Sequence, residues 1–109
     1  HGAAIVARVL ADASLRQHWE EEVGSMVARM KSLRALFASR LTARLPGHDF
    51  SWVTRQRGMF SLLGLPEADI ARLREEHHIY MPPDGRVNVA GISDANVDYV
   101  ADAVANLLA

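Results

Sequence analysis

Few side chains in this sequence could carry out chemistry, and only one of the 12 basic residues, Lys31, is a lysine. Cysteine is absent, so the sequence offers no thiolate nucleophile, disulfide or cysteine-bound zinc. A reaction that needs a lysine amine must therefore use Lys31 or a residue outside this sequence. Lys31 lies in the middle of a predicted helix, and the sequence supplies no phosphate-binding loop to accompany it.

The five histidines and the serines give only weak indications of a metal or catalytic site. His77 and His78 are neighbours, so on a helix they point about 100° apart and do not share an ion. His18 and Glu22 could supply two ligands, whereas a stable zinc site has three or four. No serine lies in a Gly-x-Ser-x-Gly motif, and the glycines form no phosphate-binding loop before a helix. Surface histidines and turn glycines are the favoured interpretation.

Arg86 is the side chain best placed to bind a ligand. It begins a predicted strand in which Val87 and Val89 share one face, so Arg86 and Asn88 share the other. If the valines face the core, Arg86 faces a surface or a cleft. A guanidinium fixed there is suited to two-point recognition of a carboxylate. From spacing alone, an ordinary exposed arginine after a turn is the favoured interpretation.

The longest element is a predicted helix that begins at Ser14, where Ser14 and Gln17 form a capping-box pattern, and ends at Pro46-Gly47. Its apolar residues recur at steps of three and four and form one stripe: Leu15, Trp19, Val23, Met26, Met30, Leu33, Phe37, Leu41 and Leu45. At 1.5 Å per residue the helix is about 45 Å long, so part of this stripe should contact something outside the domain.

Three arginines, Arg29, Arg40 and Arg44, lie near one line of this helix and could form an anion-binding strip. The run Glu20–Glu22 lies towards its other end. An ordinary solvated charged face is the favoured interpretation, because surface charges usually behave in this way.

The remaining elements are short and mixed in type. In order they are a buried helix over 1–12, strands near 50–52 and 58–64, a helix over 66–76, strands over 79–81 and 86–90, and a helix capped by Ser93. The turn Pro82-Pro83-Asp84-Gly85 predicts that the last two strands form a hairpin. This order predicts an α+β fold, in which the long helix packs with other helices on a small β-sheet.

The chain has 109 residues, half of them hydrophobic, which is enough for one domain with its own core. The formal net charge of -1 does not favour nucleic acid or an anionic membrane as a partner. No apolar run approaches the roughly 20 residues that cross a bilayer. The lack of cysteine is compatible with the cytoplasm. The opening His1-Gly2-Ala3-Ala4 predicts a piece excised from a longer chain.

Several strings, in the same order and with the same gaps, resemble the C-terminal region of the aspartate and aromatic amino-acid aminotransferases. The specific pair is Gly58-Met59-Phe60-Ser61 followed by Gly-Arg-x-Asn-x-Ala-Gly over 85–91. Further matching strings are Gln56-Arg57, Leu73-Arg74-Glu75-Glu76, Ile79-Tyr80-Met81, His1-Gly2-Ala3 and Trp19-Glu20-Glu21-Glu22. The resemblance covers essentially the whole chain.

This resemblance implies the C-terminal portion of a fold-type I enzyme that uses pyridoxal phosphate and works as a cytoplasmic homodimer. Such an enzyme transfers an amino group between an amino acid, aspartate or aromatic, and a 2-oxo acid. Residues 1–13 would end the large cofactor domain or form an interdomain segment. Residues 14–46 would form the long interdomain helix, and residues 47–109 the small C-terminal domain.

The family match assigns two site residues. Arg86 occupies the position that binds the substrate α-carboxylate, and Phe60 would lie near the active-site entrance. The lysine and phosphate-binding groups that hold the cofactor would lie upstream of His1, so the isolated chain should neither bind pyridoxal phosphate nor be active. The alternative function is a non-catalytic helical interaction module that uses the long helix to bind a partner.

Overall fold

The computed structural model describes all residues, 1–109, and its elements are mostly helical. In chain order they are α1 (Gly2–Ala11), α2 (Ala13–Arg44), α3 (Ser51–Arg55), β1 (Phe60–Leu62), α4 (Glu67–His77), β2 (Arg86–Asn88), a 3-10 turn (Val89–Gly91) and α5 (Val97–Leu108). The two strands form one small antiparallel sheet. The predicted α+β fold is confirmed. None of the helices is long and apolar enough to cross a membrane.

Helix α2 begins one residue earlier than predicted because Asp12, and not Ser14, is its N-cap. One carboxylate oxygen of Asp12 accepts hydrogen bonds from the backbone N–H groups of Ser14, at 3.0 Å, and Leu15, at 3.1 Å. A carboxylate at this place satisfies free N–H groups and also meets the positive end of the helix dipole. The predicted Ser14 capping box is therefore wrong. The predicted end is confirmed, since α2 stops at Arg44, just before Pro46-Gly47.

Only the C-terminal half of α2 is buried within the chain. Phe37 and Leu41 are fully enclosed, whereas Trp19 and Met26 on the same stripe are 45% and 62% exposed. The first half of the stripe thus has no covering element here, and its contact with something outside the domain stays a prediction. Helix α1 was predicted to be buried, which is wrong for this chain, because none of its residues is buried. Its apolar side chains favour burial, but no layer of this chain covers them.

Helix α5 covers the buried half of α2. Its Val97, Ala101 and Val104 are almost completely enclosed and belong to the same core cluster as Phe37 and Leu41. The predicted apolar face is thus confirmed at these valines, while the predicted Ser93 cap is wrong.

Asn96 is the N-cap residue of α5, and no side chain caps the helix. Asn96 Oδ1 accepts a hydrogen bond from the Ser93 N–H at 2.8 Å, and the Ser93 carbonyl accepts one from the Val97 N–H. The Ser93–Asn96 turn therefore uses the Ser93 backbone rather than its hydroxyl.

Two predicted strands are absent, and the predicted hairpin is wrong. Residues 50–52 lead into helix α3, where Asp49 accepts a hydrogen bond from the Ser51 N–H at 2.8 Å. Residues 79–81 form no strand, and β2 pairs with β1 instead. The turn at 82–85 does form, since the Gly85 N–H donates to the Pro82 carbonyl at 3.0 Å. The Gly85 carbonyl then accepts from the Leu63 N–H, which begins the ladder with β1.

The register of the sheet sets which side chains face outward. Phe60 lies opposite Asn88, Ser61 opposite Val87, and Leu62 opposite Arg86. Ser61 is buried and Val87 is half-buried, whereas Phe60, Arg86 and Asn88 are exposed. The alternation predicted for Arg86 and Val87 is therefore confirmed.

Arg34 is a buried arginine that the sequence analysis missed. Only 3% of it is exposed, and its guanidinium lies under the segment that leads into β1. It donates hydrogen bonds to the carbonyls of Val53 at 3.0 Å, Gly58 at 2.7 Å and Phe60 at 2.9 Å, and to the Ser61 hydroxyl. Burial lowers the pKa of Arg34 from its ordinary value. These bonds hold β1 against the C-terminal half of α2.

Arg40 and Arg44 join α2 to α5 through surface ion pairs. Arg44 pairs with Asp98 at 3.0 Å and with Asp102, while Arg40 pairs with Asp98 at 3.2 Å. The hydrogen bond from Arg44 lowers the pKa of Asp102 below its usual value. The predicted charged surface face is thus confirmed for these two arginines, with aspartates of α5 as their partners.

We predict that Arg34→Ala destabilises the fold far more than Arg40→Ala on the same helix. Removing the guanidinium leaves the buried Val53 carbonyl and the part-buried Gly58 and Phe60 carbonyls without this donor, a loss of about 3 kcal/mol or more, whereas an exposed pair contributes at most about 1 kcal/mol. Urea unfolding followed by far-ultraviolet circular dichroism measures both. Equal losses in the two variants would contradict the role assigned to Arg34.

A second prediction concerns the acid limb of stability. The pKa of Asp102 is lower in the folded than in the unfolded protein. Its ion pair with Arg44 therefore contributes to the free energy of unfolding above the unfolded pKa of about 3.9, and this contribution is lost as the pH falls through the folded pKa. Asp102→Asn should flatten the pH dependence of the free energy of unfolding in this acid range. Asp94→Asn is the control, because Asp94 forms no ion pair. The same slope in wild type and Asp102→Asn would count against this assignment.

Candidate functional site

Arg86 is the first residue of β2 and follows a glycine that the backbone requires. Gly85 has a φ of +74°, a left-handed backbone conformation that is strained for residues with a side chain. The turn that ends at Gly85 directs the chain into the ladder with β1, where Arg86 lies opposite Leu62. Arg86 therefore has a fixed backbone and points away from the core.

Two neighbouring groups hold the Arg86 side chain. The Asp84 carboxylate contacts Nε of the guanidinium at 2.7 Å through Oδ2, and its Oδ1 accepts a hydrogen bond from the Arg86 backbone N–H at 3.2 Å. The guanidinium carbon lies 5.6 Å from the centre of the Phe60 ring, within cation–π range. Neither terminal nitrogen of Arg86 donates a hydrogen bond within the chain.

A hollow of about 260 Å³ lies beside this group. Phe60, Arg86 and Asn88 contribute to its lining, and most of its other lining residues are apolar: Ile79, Tyr80, Met81, Pro82, Val87, Gly91, Ile92 and Val100. An arginine whose terminal nitrogens are free, beside an apolar wall, can bind the carboxylate of a small molecule in a two-point contact.

Asn88, which faces outward from β2, caps the turn that follows the strand. Its side-chain oxygen accepts a hydrogen bond from the Ala90 N–H at 3.0 Å and caps the 3-10 turn that follows β2. This bond begins the 3-10 turn directly after β2, which ends at Asn88.

Lys31, the single lysine, is not brought to Arg86. It lines a separate groove between α2 and the segment from Thr54 to Met59, whereas Arg86 lines the hollow described above. The chain contains no group of three side chains placed to hold a metal ion. His18 Nε2 and Glu22 Oε1 lie 3.8 Å apart on the exposed surface of α2.

Sequence reasoning missed two residues that shape the site, Arg34 and Asp84, although each left a signal. Arg34 precedes Phe37 by three residues and Leu41 by seven, so it falls on the buried stripe despite its charge. Asp84 stands in a turn, where aspartate commonly accepts a hydrogen bond from the backbone N–H two residues later.

Comparison with known proteins gives a consistent result across the chain. The family model for class I and II aminotransferases matches residues 1–104. Aspartate aminotransferase of Haemophilus influenzae is 44% identical over 99% of this chain and 27% of its own length. Aromatic-amino-acid aminotransferase of Pseudomonas aeruginosa is 42% identical over 100% of this chain and 27% of its own length.

A solved structure extends the match to the fold. Aromatic-amino-acid aminotransferase from Burkholderia pseudomallei, covalently bound to pyridoxal phosphate, superposes with a TM-score of 0.93 at 46% identity, over 100% of this chain and 27% of that one. The chain thus spans about 27% of the length of the relatives it matches. The resemblance carried by the Gly-Met-Phe-Ser and Gly-Arg-x-Asn motifs is confirmed, and the chain belongs to the class I and II aminotransferase family.

Proposed function

We propose that this chain is the C-terminal part of a pyridoxal-phosphate-dependent aminotransferase. The full-length enzyme would transfer an amino group between aspartate or an aromatic amino acid and a 2-oxo acid. The observation that carries the proposal is the Arg86 guanidinium, held at Nε with its terminal nitrogens free beside a hollow. The family match over residues 1–104 supports it.

In this proposal Arg86 binds the α-carboxylate that every amino-acid and 2-oxo-acid substrate carries. A guanidinium presents two parallel N–H donors to a carboxylate, which fixes the angle of the substrate as well as its position. Orientation of this kind lowers the barrier because the reacting bond is held ready for attack. Phe60 supports the guanidinium through its ring and would line the entrance to the site.

We infer that the residues of this chain do not hold pyridoxal phosphate by themselves. Lys31 lies in a different concavity from Arg86, and Arg34, the most deeply buried cation near Lys31, is already occupied by carbonyls and a hydroxyl. We therefore propose that the lysine and phosphate-binding groups that hold the cofactor belong to the rest of the full-length enzyme. This chain would supply Arg86, the side chain that binds the substrate carboxylate.

The division into residues 1–13, 14–46 and 47–109 stays a prediction, as does homodimer formation. The exposed apolar surfaces of α1 and of the first half of α2 are compatible with contacts to another domain or subunit. A cytoplasmic location is also proposed, supported by the absence of cysteine.

A non-catalytic helical module is not favoured, because it does not account for the family match over both motifs. The gene upstream of His1 separates the two proposals. An open reading frame that continues into a lysine-bearing cofactor domain supports the aminotransferase. A start codon immediately before His1 would support the module.

We predict that the isolated chain shows neither pyridoxal-phosphate absorbance nor transamination, because the cofactor-binding groups are not assembled in it. The measurement is absorbance after addition of stoichiometric cofactor, followed by borohydride reduction and mass analysis. A borohydride-stable adduct on Lys31 would contradict this expectation, and Lys31→Arg is the matched control for the attachment site.

We predict that Arg86→Lys and Arg86→Ala in the full-length enzyme lower kcat/KM by about 30-fold or more for every substrate, since a lost two-point contact costs about 2–5 kcal/mol. Cofactor occupancy and thermal stability should stay near wild type. Arg74→Lys on α4 is the control, because Arg74 is exposed and pairs only with the neighbouring Glu75. Wild-type kcat/KM for Arg86→Lys on both aspartate and phenylalanine would refute the assignment.

A further inference from the structure

We propose that Asp84 is a positioning residue that pre-orients Arg86 for the substrate carboxylate. This inference rests on the proposed function of Arg86 and extends it to a second residue. Asp84 would not touch the substrate. Its effect would be to reduce the freedom of the guanidinium before binding.

The Asp84 carboxylate contacts Arg86 at two places, the backbone N–H and the side-chain Nε. Oδ1 of Asp84 accepts from the Arg86 backbone N–H at 3.2 Å, and Oδ2 lies 2.7 Å from Nε of the same side chain. Asp84 thereby ties the beginning and the charged end of Arg86 to one carboxylate. Because the two residues are separated only by Gly85, this arrangement does not require any other part of the protein.

The nitrogen that Asp84 engages determines the consequence. A carboxylate on the two terminal nitrogens would occupy the edge that a substrate needs and would compete with it. Contact at Nε leaves that edge free, and the Phe60 ring faces the guanidinium carbon from 5.6 Å. Arg86 is therefore held from the side and from one face, with its terminal edge available.

Two opposing effects follow from the negative charge of Asp84. It lowers the entropy that Arg86 loses on binding, because an arginine side chain has many rotamers when free. It also repels an incoming carboxylate. A carboxylate bound at the terminal nitrogens lies on a different edge of the guanidinium from Asp84, so the repulsion acts over a longer distance than the 2.7 Å contact between Asp84 Oδ2 and Arg86 Nε. Pre-orientation therefore outweighs repulsion.

The test uses Asp84→Asn and Asp84→Ala in the full-length enzyme. Asparagine retains an oxygen that can accept from the Arg86 N–H and removes the charge at Nε, whereas alanine removes both. Each variant should raise KM for amino acids and 2-oxo acids about two- to fivefold, with kcat nearly unchanged, since pre-orientation strengthens ground-state and transition-state binding alike. The Kd of a 2-methyl amino acid, which has no α-hydrogen to lose, should rise by the same factor.

Asp84→Glu provides the conservative rescue, because its longer carboxylate still reaches Nε, and it should lie nearer to wild type than Asp84→Asn. Asp94→Asn is the matched surface control and should leave KM unchanged. An unaltered or lower KM in Asp84→Asn would overturn the inference, and a lower value would show that Asp84 competes with the substrate.

Arg86→Lys, measured alongside, separates this inference from the proposed function. If Arg86→Lys loses activity while the Asp84 variants match wild type, only the positioning role fails. If Arg86→Lys keeps wild-type kcat/KM, the proposed function itself fails. In an Arg86→Lys background Asp84→Asn should add little further loss, because the two residues act as one unit. Full additivity of the two changes would overturn the positioning role.

Discussion

The sheet that carries Arg86 depends on one buried cation, the Arg34 guanidinium. It donates to the carbonyls of Gly58 and Phe60 and to the Ser61 hydroxyl, so it fixes both the approach to β1 and the strand itself. A strand of three residues has too few ladder bonds to be stable alone. Because Ser61 lies opposite Val87, a fixed β1 also fixes the neighbouring β2 and the direction of Arg86.

The site is held by a chain of contacts that runs from the core outward. Arg34 anchors β1, the ladder anchors β2, and Asp84 and Phe60 hold the guanidinium of Arg86. Each group in this series lies nearer to solvent than the one before it. The last, the Arg86 guanidinium, is exposed but has little conformational freedom. This arrangement suits a protein part that contributes one ligand contact to a site completed by other residues.

Sequence periodicity predicted the elements that bury a clear apolar face. The apolar stripe through Phe37 and Leu41 predicted helix α2, and the alternation along the strand predicted that Arg86 faces outward. Strand partners were not predictable, since segments of three residues carry no signal for which edge they join. The prediction that α1 is buried was also wrong. Composition shows which side chains favour a core, but it does not show whether another element covers them. Arg34 was missed because a charge on an apolar stripe is ordinarily assigned to the surface.

We propose that the free terminal nitrogens of Arg86 bind a substrate carboxylate. A crystal structure of the full-length enzyme with cofactor and a 2-methyl amino acid tests it most directly. We expect both terminal nitrogens of Arg86 to lie within hydrogen-bond distance of the two α-carboxylate oxygens, while Asp84 remains at Nε. An α-carboxylate bound by another group, with Arg86 still facing solvent, would contradict it.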